Sequence, residues 1–309
     1  MSEQYLITGS EGFIGRHLRK ELAKKVGRSN IISVDMRVPS DDLIYRNDDT
    51  RKWEQVSFPN KVSDFFSRST DEQYKFDFKV IYHLAAMSSP VEVERFPLEG
   101  IETNLIDSAM ILDYARKQQD SLNHRIQLVF ASSSAVSGRS LYGWTKKATE
   151  EISEYYRKNY PMNVANCRFF NTFGNDEFKG NYTSMPTQFL DKAMKDEPIL
   201  IYGNGKQSRD FIYIKDLVEW LMEVGSVKSG IFDFGTGIST SYNELANMVI
   251  RITNSKSKIK YVNNPLKSYQ KYTKANMPFS KPKYTLEEGL KDMIEERKHQ
   301  LKPLGEDAQ

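Results

Sequence analysis

The 309 residues predict an α/β fold in which a doubly wound parallel sheet, covered by helices on both faces, is followed by a smaller C-terminal lobe. Three observations predict it. Short apolar runs at 5–8, 31–34, 79–84 and 126–131 alternate with stretches of helical periodicity. A glycine-punctuated turn joins the first run to the first helix, and beyond residue 170 the elements become shorter and less regular. Together these describe a Rossmann-type sheet.

Taken in order, residues 5–8 read as a strand, and Phe13, Ile14, Leu18, Leu22 and Ala23 recur at helical spacing over 13–25. Residues 31–34 form a second strand that ends at Asp35. Strands at 79–84 and 126–131 follow, with helices over 101–116 and 143–158. Later come a strand at 163–170, helices over 189–195 and 215–225, and a strand at 230–234 before Gly235-Thr236-Gly237. The Lys/Asn/Ser-rich stretch 254–264 reads as a loop around a short strand, and the polar tail after Glu295 is expected to fray. No internal repeat is present.

Composition narrows the class. A net charge of +3 gives no global field to hold a nucleic acid. The charged fraction of 28%, hydrophobic fraction of 39% and mean hydropathy of −0.60 argue against a membrane protein, and 12% aromatics argue against disorder. The single cysteine, Cys167, rules out an intrachain disulfide and a multi-thiolate zinc site, and no metal is expected. The N-terminus lacks a signal-peptide pattern, and no run nears the ~18 apolar residues a membrane span needs, so a cytoplasmic protein is expected.

The strongest local pattern is Thr8-Gly9-Ser10-Glu11-Gly12-Phe13-Ile14-Gly15, between a strand and a helix. Gly9 suits a tight turn, Gly12 lets a pyrophosphate approach the backbone, and Gly15 allows close helix packing, while free N–H groups at the helix start attract phosphate. Asp35 stands where a carboxylate accepts hydrogen bonds from an adenosine ribose. The pair favours a dinucleotide over an ordinary glycine turn, and a carboxylate there favours NAD over NADP, with Arg37 pulling the other way.

Tyr142 and Lys146, four residues apart, share one helical face. The ammonium is expected to lower the phenol pKa and prepare Tyr142 as a general base toward a hydroxyl, with Ser133 sharing the proton. The plainer alternative is a chance pair on a surface helix. His83, in an apolar strand end, reads as a packed histidine.

With the G-x-x-G-x-x-G spacing, His83-Leu84-Ala85-Ala86, Asn104, the serines 132–134 and Tyr142-x-x-x-Lys146, the chain resembles the extended short-chain dehydrogenase/reductase family, and within it the nucleotide-sugar epimerase/dehydratase branch. Further landmarks are Arg168-Phe169-Phe170-Asn171-Thr172-Phe173-Gly174, the stretch 202–211 and Thr285-Leu286-Glu287-Glu288-Gly289-Leu290. The resemblance implies an NAD-binding domain over 1–170, with elements near 211–235 returning to it, and a substrate-binding lobe over 171–309. It implies NAD contacts from Gly9, Gly12, Phe13, Ile14, Gly15, Asp35, Leu84, Ala85, Ala86, Asn104 and Lys146. It also implies substrate contacts from Ser88, Asn171, Lys179 and Arg209, with Asn171 and Arg209 on the diphosphate, for which the planar fork of arginine is suited. A homodimer is expected through the helices over 101–116 and 143–158, using Ile101, Leu105, Ile106, Met110 and Leu112.

Departures from the family restrict the reaction. Only Arg139, Ser140 and Leu141 separate Gly138 from Tyr142, and Asn175 stands where proline is usual. Ser134-Ala135 replaces the Asp-Glu pair of sugar 4,6-dehydratases, which argues against dehydration. Residues 269–276, with Phe178-Lys179-Gly180, are similar to bacterial heptose-nucleotide 6-epimerases; Lys179 is then a second acid/base or a solvated side chain. The leading expectation is an NAD-dependent nucleotide-sugar epimerase acting at C4 through a transient keto sugar. A heptose-nucleotide 6-epimerase or nucleotide-sugar dehydrogenase is the alternative within the fold, and a non-catalytic dinucleotide sensor the alternative outside it. A serine hydrolase is disfavoured because the G-x-S-x-G elbow is missing.

Overall fold

A computed structural model describes residues 3–35, 44–47, 52–55, 62, 65, 76–119, 124–177, 183–227, 229–263 and 272–301. In chain order the elements are β1 (Gln4–Thr8), α1 (Phe13–Val26), β2 (Ile31–Val34), β3 (Ile44–Asn47), β4 (Lys52–Gln55), β5 (Phe78–His83), α2 (Pro90–Arg95) and α3 (Pro97–Ile101). A π-helical turn, Glu102–Ile106, leads into α4 (Asp107–Gln119), followed by β6 (Gln127–Ser133), α5 (Leu141–Asn159), β7 (Asn163–Phe169) and β8 (Asn171–Phe173). The remainder comprises α6 (Met185–Ala193), β9 (Ile199–Tyr202), β10 (Ser208–Tyr213), α7 (Ile214–Val227), β11 (Gly230–Phe234), β12 (Ser239–Ser241), α8 (Tyr242–Thr253), β13 (Ile259–Val262) and α9 (Leu286–Leu301).

The chain divides into two compact units, residues 1–169 with 218–233, and residues 170–217 with 234–309. The first unit is built on a six-stranded sheet of order β11-β7-β6-β5-β1-β2. Its β1, β2, β5, β6 and β7 pair in parallel. The apolar stretches Tyr5-Leu6-Ile7 of β1, Val80-Ile81-Tyr82 of β5 and Leu128-Val129-Phe130 of β6 follow from burial on both faces. Leu6, Ile81, Leu128 and Val164, on four adjacent strands, are buried in one cluster with Ile111, Leu112 and Ala115 from α4. Each fully buried aliphatic side chain contributes about 1.5–3 kcal/mol. Strand order reverses between β1 and β5, and the loops leaving a sheet at such a point are where ligands bind.

In the second unit β10 lies between β8 and β12, parallel to the first and antiparallel to the second, while β9 pairs in parallel with β13. Helix α8 begins with a reciprocal capping box between Ser241 and Glu244 and buries Leu245, Ala246 and Val249.

Two sequence expectations need correction. Leu112 is fully buried in the core of the first unit and is unavailable as a contact residue between copies; of the five named for that face, Ile106 is the one exposed. Residues 302–309 lie outside the described residues, and the tail expected to fray after Glu295 is helical as far as Leu301, where α9 ends. Asn175 accounts for this. Its amide donates to the Met293 carbonyl and to Glu296, and its carbonyl accepts from Arg297, which also reaches Asp191 on α6.

Candidate active site

The first unit gathers its candidate residues at the ends of β1, β5 and β6. After Thr8 the chain turns at Gly9, whose φ of +68° favours glycine and whose N–H donates to the Val34 carbonyl. A Cβ on Gly9 would stand 2.6 Å from the Ala85 nitrogen, so the first loop presses directly against the loop after β5. A Cβ on Gly15 would lie 2.1 Å from the Gly9 carbonyl oxygen, which requires glycine for α1 to pack so closely.

Gly12 forms the N-cap of α1 without a side-chain cap, and the first-turn amides of Phe13 and Ile14 have no partner within the helix. The neighbouring Ser10 hydroxyl is buried without a hydrogen-bond partner among the described residues. Bare backbone, uncapped amides and an unused hydroxyl fit the pyrophosphate of a dinucleotide. Asp35, at the end of β2, accepts the Glu11 N–H at 3.0 Å, which holds a carboxylate beside the glycine turn. Arg37 lies outside the described residues.

Leu84, Ala85 and Ala86 form the half-buried loop after β5, tied to β1 by Leu84 N–H to the Thr8 carbonyl and Ala85 N–H to the Thr8 hydroxyl. Ser88, further along, is exposed. Asn104 sits buried in the π-helical turn. Its carbonyl accepts the Met87 N–H, and its amide donates to the Met87 carbonyl and the Thr145 hydroxyl. Both of its donors are therefore engaged, and it braces the Met87 loop.

Ser133, Tyr142 and Lys146 converge at the end of β6. The Ser133 hydroxyl influences the Tyr142 phenol, favouring its charged form, and accepts the Ala135 N–H, opening the short turn to α5. Ser140 caps α5 through the Gly143 N–H, and Glu94 on α2 accepts the Leu141 N–H at 2.9 Å. Sequence reasoning missed Glu94, for which no local signal exists 47 residues away.

Lys146 is buried and donates to the Ala131 carbonyl at 2.8 Å. Burial lowers its ammonium to about 8. Burial also pushes the Tyr142 phenol up, a rise partly opposed by Ser133. This corrects the expected depression of the phenol by Lys146: here the ammonium is directed to the strand, and Ser133 is the group that favours phenolate. His83 is buried, lies 2.8 Å from the Thr8 hydroxyl and is lowered to about 3 by burial and then by Lys146, so its ring stays neutral. Cys167 is also buried, which pushes its thiol well up.

In the second unit Asn171 and Arg209 occupy neighbouring strands, with Asn171 paired to Phe211 two residues beyond Arg209. The Asn171 amide donates to the Asp210 carbonyl and the Thr273 hydroxyl. Its donors are thus committed within the unit. The Arg209 guanidinium is buried, donates to the Ser208 carbonyl and lies over the Tyr242 ring at 5.9 Å. Asp210 binds this corner together by accepting the N–H groups of Thr236, Gly237 and Ala275. Lys179 and residues 269–271 lie outside the described residues. Among the described residues no cluster of His, Cys, Asp or Glu is assembled for a metal, and no helix is long and apolar enough to cross a membrane.

Comparison with known proteins agrees with this geometry. Residues 5–228 match the model of the NAD dependent epimerase/dehydratase family. The chain is 28% identical to UDP-glucuronic acid decarboxylase 4 of Arabidopsis thaliana, over 94% of this chain and 68% of that one. It is 27% identical to a putative UDP-glucose 4-epimerase of Methanocaldococcus jannaschii, over 94% and 96%. The fold is that of the Thermotoga maritima UDP-glucose 4-epimerase solved with UDP-glucose, with a TM-score of 0.80 and 23% identity over 97% of this chain and all of that one. The matched region carries the glycine turn, Asp35 and the Ser133, Tyr142 and Lys146 set, and the chain accordingly belongs to the NAD dependent epimerase/dehydratase family, with NAD as its cofactor.

Proposed function

We propose that the protein is a nucleotide-sugar epimerase that inverts C4 of a nucleotide-diphosphate sugar through a transient 4-keto sugar. The placement of Tyr142 one helical turn before buried Lys146 on α5, against the end of β6 where Ser133 favours the phenolate, carries this reading. The Tyr142 phenolate accepts the proton of the C4 hydroxyl, and the phenol returns it when the ketone is reduced on its other face. Ser133 favours the charged form of the phenol. Bound NAD supplies the hydride acceptor and donor at the sugar carbon. Gly9, Gly12 and the first turn of α1 would hold its pyrophosphate, Asp35 its adenosine ribose and Lys146 its second ribose. Arg209, as a planar cation, is assigned to the substrate diphosphate.

A second reading is supported by the relationship to uronate decarboxylases. Oxidation at C4 of a uronic acid makes a β-keto acid, which loses carbon dioxide, so the same first step serves both reactions. The test incubates the protein with UDP-glucose and, separately, UDP-glucuronic acid, following sugar configuration by NMR and carbon dioxide release. Galacto-configured product supports epimerisation. Carbon dioxide from the uronate with a pentose product overturns it in favour of decarboxylation, and wild-type turnover by Tyr142→Phe overturns the assigned base.

A further inference from the structure

The catalytic face of α5 continues past Lys146. Tyr142, Lys146 and Glu150 are spaced by four residues and lie on one side of the helix. Lys146 donates to the Ala131 carbonyl and Glu150 accepts from the Ser132 hydroxyl, two consecutive positions of β6, and the next residue, Ser133, is the group that favours the Tyr142 phenolate. Glu150 is buried, and Arg168 on β7 grips both its oxygens, Nε at 2.8 Å and Nη2 at 2.7 Å. Ser132 and Arg168 are direct partners in the β6–β7 pairing. One carboxylate thus clasps two adjacent strands at a single level, one residue before Ser133. The proton-transfer reading gives Glu150 no direct role.

A buried carboxylate is an expensive way to pack a helix on a sheet, since apolar residues of similar volume stabilise such a contact as well or better. Apolar contacts lack direction and tolerate sliding. A hydrogen bond to Ser132 and a two-pronged bond to Arg168 fix both the height and the rotation of α5 on the sheet. We propose that Glu150, held by Arg168, is a positioning residue for the proton-transfer group: it sets α5 on β6 so that the Tyr142 phenol meets the Ser133 hydroxyl. The inference rests on the reading of Tyr142 as the acid/base.

The test uses Ser132→Ala, which cuts the bond from carboxylate to strand while leaving the Glu150–Arg168 pair intact, and Glu150→Gln, which weakens both bonds. Titration of the Tyr142 phenol needs no substrate: it is the 295 nm absorbance difference between each protein and the same protein carrying Tyr142→Phe. Both variants are expected to move that titration to higher pH by about half a pH unit or more, because the phenol is displaced from the Ser133 hydroxyl that favours phenolate. Both are expected to lower kcat about tenfold with KM changed by less than about twofold, the pattern of a displaced reacting group. The acid limb of the pH–rate profile should move with the phenol. A phenol titration and kcat like wild type in folded Ser132→Ala overturns the proposal even if Glu150→Gln fails to fold, and a lowered melting temperature alone does the same. Turnover surviving in Tyr142→Phe overturns the acid/base reading instead.

Discussion

Lys146 is held where its charge is disfavoured, and this links stability to pH. Its folded value of about 8 lies below the ordinary lysine value of 10.5, so between those limits the unfolded chain binds more of the proton than the folded one. Stability therefore rises as pH increases from about 8 to 10.5, by on the order of 3 kcal/mol at full extent. Urea unfolding of the protein and of Lys146→Met across that range checks this; equal slopes would exclude it. Asp35 makes a different prediction: calorimetry should find NAD binding tighter than NADP, because a carboxylate repels a 2′-phosphate, and the preference should narrow in Asp35→Asn. Arg209 serves two ends. Its buried guanidinium packs over Tyr242, so Arg209→Ala should lower both apo stability, by about 1–3 kcal/mol, and substrate affinity. Unchanged affinity beside the lost stability would remove the diphosphate assignment.

The last turns of helix α9 are tied to the loop after β8 by Asn175, which binds the Met293 carbonyl, Glu296 and Arg297, beside the ion pairs Lys215–Glu296 and Asp191–Arg297. Asn175→Ala should cost about 1–3 kcal/mol and speed amide exchange in the second half of α9 before the rest of the unit opens; exchange unchanged there would contradict this. The same helix shows why sequence alone misplaced an element. Residues beyond Glu295 are polar and uncapped, and what holds them lies 122 residues away at Asn175. Some parallel strands of the first unit were legible because burial on both faces leaves an apolar stretch, as at Val80-Ile81-Tyr82 in β5. Helix α8 was missed although Ser241-x-x-Glu244 is a capping-box signal before Leu245, Ala246 and Val249. Strand β10 was also missed as a strand, since Arg209 and Asp210 interrupt its pattern and their burial depends on Tyr242, Thr236 and Ala275. Tyr142 and Lys146 were legible from their spacing. The directions of their pKa values were not, because those depend on how deeply the sheet and α5 bury each group.

For the whole molecule the remaining question is association. Ile106 at the end of the π-helical turn, Trp144 and Tyr155 on α5, and Leu98 on α3 are all more than 45% exposed, an unusual set of large apolar side chains for a free surface. The π-helical turn and α4 both pack against α5, so these residues belong to one helical layer of the first unit. The interior of that layer is accounted for, since Ile111, Leu112 and Ala115 face the core while Asn104 and Thr145 bind each other. We therefore expect two copies to associate through the outer side of this layer, with Ile106, Trp144 and Tyr155 at its centre, at micromolar concentration. Light scattering should give twice the 35.8 kDa chain mass. The pair Ile106→Glu and Tyr155→Glu should return it to a monomer without loss of melting temperature, because neither side chain supports the core and two charges placed in an apolar contact oppose association. Scattering at the single-chain mass would remove the dimer. A dimer that survives both charges must use a different surface.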